Sequence, residues 1–336
     1  MNEGLKRVVR RFPKARIAVV GDFVADLYVH TRPRRLSREA PVIICEYEGE
    51  EMVAGSAGNT AANALALGAG VRCIGIIGDD AEGRGLARLL RREGADTRGL
   101  LRARNRPTTT KTRILAGDLH TIKQQVIRID RHSVRGATAA QERTLTRALA
   151  RSVPRVQAVI ASDYDDSTLT PEVISVLCAH AARLPLVVDS RARLRQFANA
   201  FVATPNETEA LELTGMIPRT RGTARDLARL GERLRGALRA RHILLTRGNQ
   251  GMVLYEQGRA PYIIPIVGST DIVDVTGAGD TVAAALTLAI VSGASMRQAA
   301  WIANCAAGVT VMKPGAAALT RRELLDAIES AGPIRT

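Results

Sequence analysis

The stretch Asp274-Val-Thr-Gly-Ala-Gly-Asp280-Thr-Val282 runs straight into the apolar segment 283–291, AAALTLAIV. A glycine-rich turn that opens a helix leaves several backbone N–H groups unpaired, with the positive end of the helix dipole behind them. Gly277 and Gly279 carry no Cβ and let the main chain approach an anion closely. Asp280 then stands at the start of the helix, beside that anion. A carboxylate is a poor anion ligand, and two roles stay open for it here. It caps the helix, as Asp often does, or it accepts the proton of a hydroxyl that attacks a bound phosphoryl group.

Two other phosphate-binding patterns fail on the residues. A Walker A loop requires GxxxxGK[ST], and this segment has no lysine. A dinucleotide fingerprint requires an acidic residue about 20 positions after its glycines, yet no Asp or Glu occurs from Thr281 to Arg322.

Upstream, short β-rich apolar runs recur at Ile17–Gly21, Val71–Gly78, Ala158–Ser162, Leu186–Asp189, Phe201–Thr204 and Ile243–Thr246, each followed by a helix-like stretch. That alternation predicts an α/β fold with a three-layer, mainly parallel sheet and helices on both faces. Leu227, Leu230, Leu234 and Leu238 share one helical face, beside Arg225, Arg229 and Arg233, which read as a solvated face. Two regions, about 28–52 and 105–130, break the pattern. They lack helical periodicity and contain strand-like pieces at Val42–Tyr47, Thr109–Leu115 and Gln124–Ile129, which predicts a small β layer over one edge of a single domain spanning residues 1–336.

The 336 residues are 46% hydrophobic and 24% charged, too apolar for a disordered chain. No apolar run reaches the roughly 18 residues of a membrane helix, and the basic N-terminus lacks a cleavable signal pattern. A cytoplasmic protein without a membrane partner is expected. The net charge of +15 suits a nucleic-acid binder, but only five of the 48 basic residues are lysines and the aromatic residues are scattered, so no nucleic-acid partner is expected. Cys45, Cys73, Cys178 and Cys305 show no metal-ligand spacing and read as buried thiols.

With these residues in view, the chain resembles the ribokinase-like (phosphofructokinase-B) sugar kinases from about residue 16 to 330. The resemblance implies that Gly277, Ala278 and Gly279 form an anion hole and that Asp280 is the catalytic base. It places Gly21-Asp22 and Asp26 at a sugar-contacting strand end, and Gly55-Ser-Ala-Gly58-Asn59 at the substrate turn. Asn206 and Glu209, in Thr204-Pro-Asn206-Glu-Thr-Glu209, are associated with magnesium and phosphate, Thr246, Gly248 and Gly251 with a nucleotide-binding turn, and Asn304 with the adenine. ATP and Mg2+ are therefore the implied donor and cofactor.

Within that family the chain is most similar to the D-glycero-β-D-manno-heptose 7-phosphate kinases of lipopolysaccharide-precursor synthesis. The stretches carrying this are Arg35 to Pro41, Thr110 to Arg113, IRID, SDY and LLTRGNQGM. The two β-rich inserts then imply a lid that closes over the sugar and pairs between subunits of a homodimer. Lys111, Arg113 and Arg128 lie in this lid, as a phosphorylated sugar requires. Two departures bear on the sugar: Ser56 replaces the second glycine of the substrate turn, and Asp189-Ser190-Arg191 stands where Asp-Pro-Lys is common. The chain ends at Thr336 without the nucleotidyltransferase segment of some such kinases, which implies the kinase step alone. The other readings are a kinase for ribose, fructose or fructose phosphate, and a non-catalytic sugar or nucleotide sensor on the same fold.

Overall fold

The computed structural model describes residues 2–118, 123–133, 136–166, 168–216, 223–267, 273–313, 315 and 317–331. Thirteen strands are present among them: β1 (Arg16–Gly21), β2 (Phe23–Leu36), β3 (Ile43–Ser56), β4 (Gly70–Gly78), β5 (Asp96–Ala103), β6 (Thr110–Ala116), β7 (Gln124–Arg131), β8 (Ala158–Asp163), β9 (Leu186–Ser190), β10 (Val202–Ala203), β11 (His242–Thr246), β12 (Met252–Glu256) and β13 (Tyr262–Ile264). The main sheet has the order β13-β12-β11-β10-β9-β8-β1-β4-β5. It is parallel from β5 to β11, and the antiparallel β12 and β13 complete one edge.

A parallel sheet needs both faces covered, and alternate residues of the central strand serve the two sides. Ile17 and Val19 enter one core with Asn2–Arg10, Ala57–Ala66, Ala278–Val291, Met296–Thr310 and Arg321–Ser330. Ala18 and Val20 enter the other with Ala139–Ser152, Pro171–His180 and Ala224–Ala237. In the last of these, Leu227, Leu230 and Leu234 are buried while Arg225, Arg229 and Arg233 are exposed, as the spacing predicts. No helix among the described residues is long and apolar enough to cross a membrane.

The two β-rich inserts form a second sheet, order β3-β2-β6-β7, with β2 parallel to β6 and antiparallel to β3. Residues 119–122 of the second insert lie outside the described residues. The elements outrun the expected pieces: β3 extends nine residues beyond Tyr47, and β2 begins at Phe23. The outer parts of this hairpin are exposed on both faces, so no inside–outside alternation marks them in the sequence. Strands β5, β12 and β13 also went unmarked; β5 carries Arg98, Gly99 and Arg102 within its run. The thiol expectation needs correction, since Cys73 and Cys305 are buried but Cys45 and Cys178 are partly exposed.

The topology fixes where a ligand sits. Asp163 ends β8, Asp189 lies near the end of β9, Thr204 follows β10 and Thr246 ends β11. All four line one cavity at the carboxyl ends of the parallel strands, where open α/β sheets bind ligands.

Candidate active site

The helix Ala278–Val291 begins at Gly277, whose φ of 77° is a left-handed value suited to glycine. Every residue from Asp280 to Ala289 is buried, so the helix carries a carboxylate into the core side of the cavity in its first turn. Three side chains meet it. Asn59 Nδ2 donates to Asp280 Oδ2 at 2.8 Å, Thr60 Oγ1 donates to Oδ1 at 2.7 Å, and Tyr164 Oη donates to Oδ1 at 3.0 Å. Burial pushes the Asp280 carboxyl above its ordinary value, while these three donors pull it back. The capping reading finds no support: Asp280 follows the N-cap, and its oxygens are held by side chains. Of the three expected amides, the Ala278 N–H donates to the Val275 carbonyl at 3.2 Å, whereas Gly277 and Gly279 border the cavity.

Around Asp280 lies a cavity of about 560 Å³. It gathers Asp26, Gly55, Asn59, Lys111, Arg113, Arg128, Asn206, Glu209 and Thr246, residues spread through the chain but brought together by the two sheets. Asp26 on β2 pairs with Arg113 on β6 at 2.8 Å, and a Cβ on Gly55 would stand 2.5 Å from Asp26 Oδ2, so only glycine leaves room for this pair. Arg128 pairs with Asp130 at 2.8 Å. Lys111 and Arg191 have no ion-pair partner among the described residues. Both approach the Tyr164 ring, at 5.8 and 4.5 Å from its centroid.

Asp22 is a correction. It is 1% exposed and absent from the cavity wall. Its carboxylate instead accepts the backbone N–H groups of Tyr164, Asp166 and Thr168 at 2.9–3.1 Å. It ties the end of β1 to the loop after β8.

A second cavity, about 520 Å³, adjoins the first and shares Asn206, Thr246, Val275 and Gly279 with it. Gly248, Gly251, Ala278 and Asn304 line it among apolar side chains including Met252, Ile266 and Val282. Asn304 uses its amide on the Pro265 carbonyl at 2.8 Å. Asn206 and Glu209 form a reciprocal capping box at the start of Glu207–Thr214. Among the described residues no group of three or more His, Cys, Asp or Glu is set for a metal ion. Asp189, with Asp280 and Glu209 as negative neighbours, is pushed well above the usual carboxylate range by burial and then by those charges.

A profile of the pfkB family carbohydrate kinases matches residues 14–322. The chain belongs to the pfkB family of carbohydrate kinases. As a pfkB kinase it is a sugar phosphotransferase. It is 36% identical to the bifunctional protein HldE of a Nitratiruptor species, covering 93% of this chain and 64% of that protein. With its counterpart in Caulobacter sp. (strain K31) the identity is 37%, covering 97% of this chain and 65% of that one. The chain thus spans less than two thirds of the length of these relatives. The fold is shared with Arabidopsis thaliana ribokinase complexed with ribose and ATP (TM-score 0.72, 22% identity, 94% of this chain and 99% of that one). It is shared likewise with phosphofructokinase-2 of Escherichia coli in complex with substrates and products (TM-score 0.74, 15% identity, 94% and 98%).

Sequence reasoning missed Thr60 and Tyr164 of this pfkB kinase as partners of Asp280. Thr60 sits beside the noted Asn59, and Tyr164 directly follows the carboxyl end of β8, a position that itself points to a site. Ser56 explains its own oddity: it holds φ 54°, ψ −127°, a region in which side chains are strained, and its Oγ is buried without a hydrogen-bond partner among the described residues. Ser56→Gly removes both costs. An increase of about 1 kcal/mol in stability is expected, a Tm rise of roughly 1–3 °C; a calorimetric scan showing a lower Tm contradicts this account of the turn.

Proposed function

We propose that the chain phosphorylates the anomeric hydroxyl of D-glycero-β-D-manno-heptose 7-phosphate, with ATP as donor, giving the 1,7-bisphosphate. The observation that carries the reading is one cavity that a buried carboxylate, Asp280, shares with two cations, Lys111 and Arg191, which have no carboxylate at ion-pair distance among the described residues. An acceptor that already bears a phosphate supplies a direct ion-pair partner for them. The resemblance of Arg35 to Pro41 and Thr110 to Arg113 to heptose 7-phosphate kinases supports the same acceptor, as does the similarity to proteins named HldE.

In this reading Asp280 Oδ2 takes the proton of the attacking hydroxyl. Oδ1 is occupied by Thr60 and Tyr164, whereas Oδ2 carries the Asn59 amide and keeps a lone pair. The hydroxyl oxygen bonds to the γ-phosphorus as the bond to the bridging oxygen breaks, and ADP leaves. The amides at Gly277 and Gly279, at the helix N-terminus where the two cavities meet, stabilise charge on the transferred group. The apolar second cavity suits a nucleobase, with Asn304 at its wall.

Magnesium would enter this reading as a hydrated ion carried with the nucleotide phosphates. Asn206, on the wall shared by the two cavities, and Glu209, on the wall of the first, would hold it, and a hydrated ion keeps several waters and needs few protein ligands. The ion would neutralise phosphate charge there.

The second sheet is the lid of this reading, and its exposed apolar residues suit pairing with a second copy. Leu36, Ile43, Tyr47, Val126, Ile127 and Ile129 are each more than half exposed on it. Ile127→Asp is therefore expected to shift a dimer toward monomer in sedimentation; an unchanged sedimentation coefficient removes this surface from the interface. The function is tested with purified protein, ATP and magnesium against heptose 7-phosphate, ribose, fructose and fructose 6-phosphate, reading ADP release. Turnover on heptose 7-phosphate at the highest kcat/KM is expected. Activity confined to unphosphorylated sugars overturns the assignment.

A further inference from the structure

Tyr164 has no role in the reaction as described so far, yet its position is heavily determined. Its backbone N–H donates to buried Asp22 at 2.9 Å, and the same carboxylate accepts from Asp166 and Thr168, so three amides of one loop converge on a single side chain. Its ring lies under the Arg191 guanidinium at 4.5 Å, with Lys111 Nζ from the second sheet at 5.8 Å. Its hydroxyl reaches Asp280 Oδ1 at 3.0 Å.

We propose that Tyr164, fixed by Asp22, is a positioning residue for the phosphoryl transfer: it holds Asp280 turned so that Oδ2 faces the acceptor hydroxyl. A carboxylate buried at 3% exposure in the first turn of a helix has two oxygens that could exchange places by rotation about its side-chain torsion. Two hydroxyl donors on Oδ1 against one amide on Oδ2 break that symmetry. The same hydrogen bond stabilises the ionised carboxylate, countering the burial that favours the protonated form. Among the described residues, three elements bring groups toward Asp280. Helix Ala57–Ala66 presents the non-titrating Asn59 and Thr60, the loop after β8 presents Tyr164, and the end of β9 presents Asp189 and Arg191, with Glu209 beyond Asp189.

The inference rests on Asp280 as the base, and the experiment separates the two. Tyr164→Phe removes one oxygen and keeps the ring that Arg191 and Lys111 approach. Expected are a fall in kcat of about tenfold at neutral pH, the scale of a hydrogen bond to a charged group, and an acid limb of the pH–kcat profile displaced to higher pH. Part of kcat returns at alkaline pH, and KM for ATP stays within about twofold. A purely structural role for the hydroxyl would lower the folded fraction and leave the pH profile in place. Repeating the comparison in an Asp189→Asn background checks that the displaced limb belongs to Asp280; loss of the displacement there assigns it to Asp189 and overturns the proposal. If Asp280→Asn is inactive while Tyr164→Phe keeps the wild-type kcat and acid limb, this inference alone falls. If Asp280→Asn turns over normally, the base reading falls and takes the inference with it.

Discussion

Asp280→Asn is expected to lower kcat by at least about 10²-fold, the scale of a general base, with ATP affinity held within a few-fold. The substitution leaves the backbone of the Gly277–Asp280 turn unchanged, and the second cavity is lined without the Asp280 side chain. An asparagine can accept from Thr60 and Tyr164 through its oxygen, but its amide then faces the Asn59 amide. Asn59 cannot simply flip, because its Oδ1 accepts from Asn63 at 3.1 Å. Some loss of Tm accompanies the loss of turnover, so the variant is assayed below its transition, with equilibrium ATP binding measured on the same sample. The wild-type profile carries a matching signature. Burial raises Asp280 above the ordinary aspartate value, so kcat should fall as pH drops through that raised value, where protonation removes the acceptor. Near-wild-type kcat for Asp280→Asn would eliminate Asp280 as the base.

The parallel core and its two helical faces were legible because buried parallel strands read as continuous apolar runs, and residues 17–20 are such a run. The turn at 274–280 was legible for a different reason: two glycines just before the start of an apolar helix expose backbone amides to an anion, although the role of the acidic residue that follows them stayed open on those residues alone. What stayed hidden depends on distance along the chain. Tyr164 meets Asp280 across 116 residues and Asn59 meets it across 221, and no local pattern encodes such a meeting. Asp22 misled because a carboxylate at a strand end suits a ligand contact and a loop clamp equally, and only the three amides aimed at it decide between them. The inserts were marked as β-rich yet drawn too short, since exposed hairpin ends lack the alternation that marks a half-buried strand.

Lys111→Ala is expected to raise KM for a phosphorylated acceptor about 10–100-fold, the range set by roughly 1.5–3 kcal/mol for a hydrogen bond to a charged group, while KM for ATP changes little. Lys111 stands opposite Asp26 in the β2–β6 register, but Asp26 is taken by Arg113. Burial depresses the ammonium pKa, with Asp26 and Asp130 offsetting part of the effect from beyond ion-pair distance. A phosphate arriving beside it supplies a direct ion-pair partner, so most of the contact's free energy appears on binding. The neighbouring cations make the controls informative. Arg128 is half-exposed and already paired with Asp130, so Arg128→Ala should change KM by no more than about threefold, as exposed pairs contribute little. Arg113→Ala would leave Asp26, 5% exposed, without its cation, and should lower Tm before it says anything about substrate. The deciding measurement is the ratio of KM values for a sugar phosphate and its unphosphorylated parent in wild type and Lys111→Ala. If both acceptors lose affinity equally, Lys111 contacts the ring or the transferred phosphoryl group, and the acceptor phosphate must lie elsewhere in the cavity.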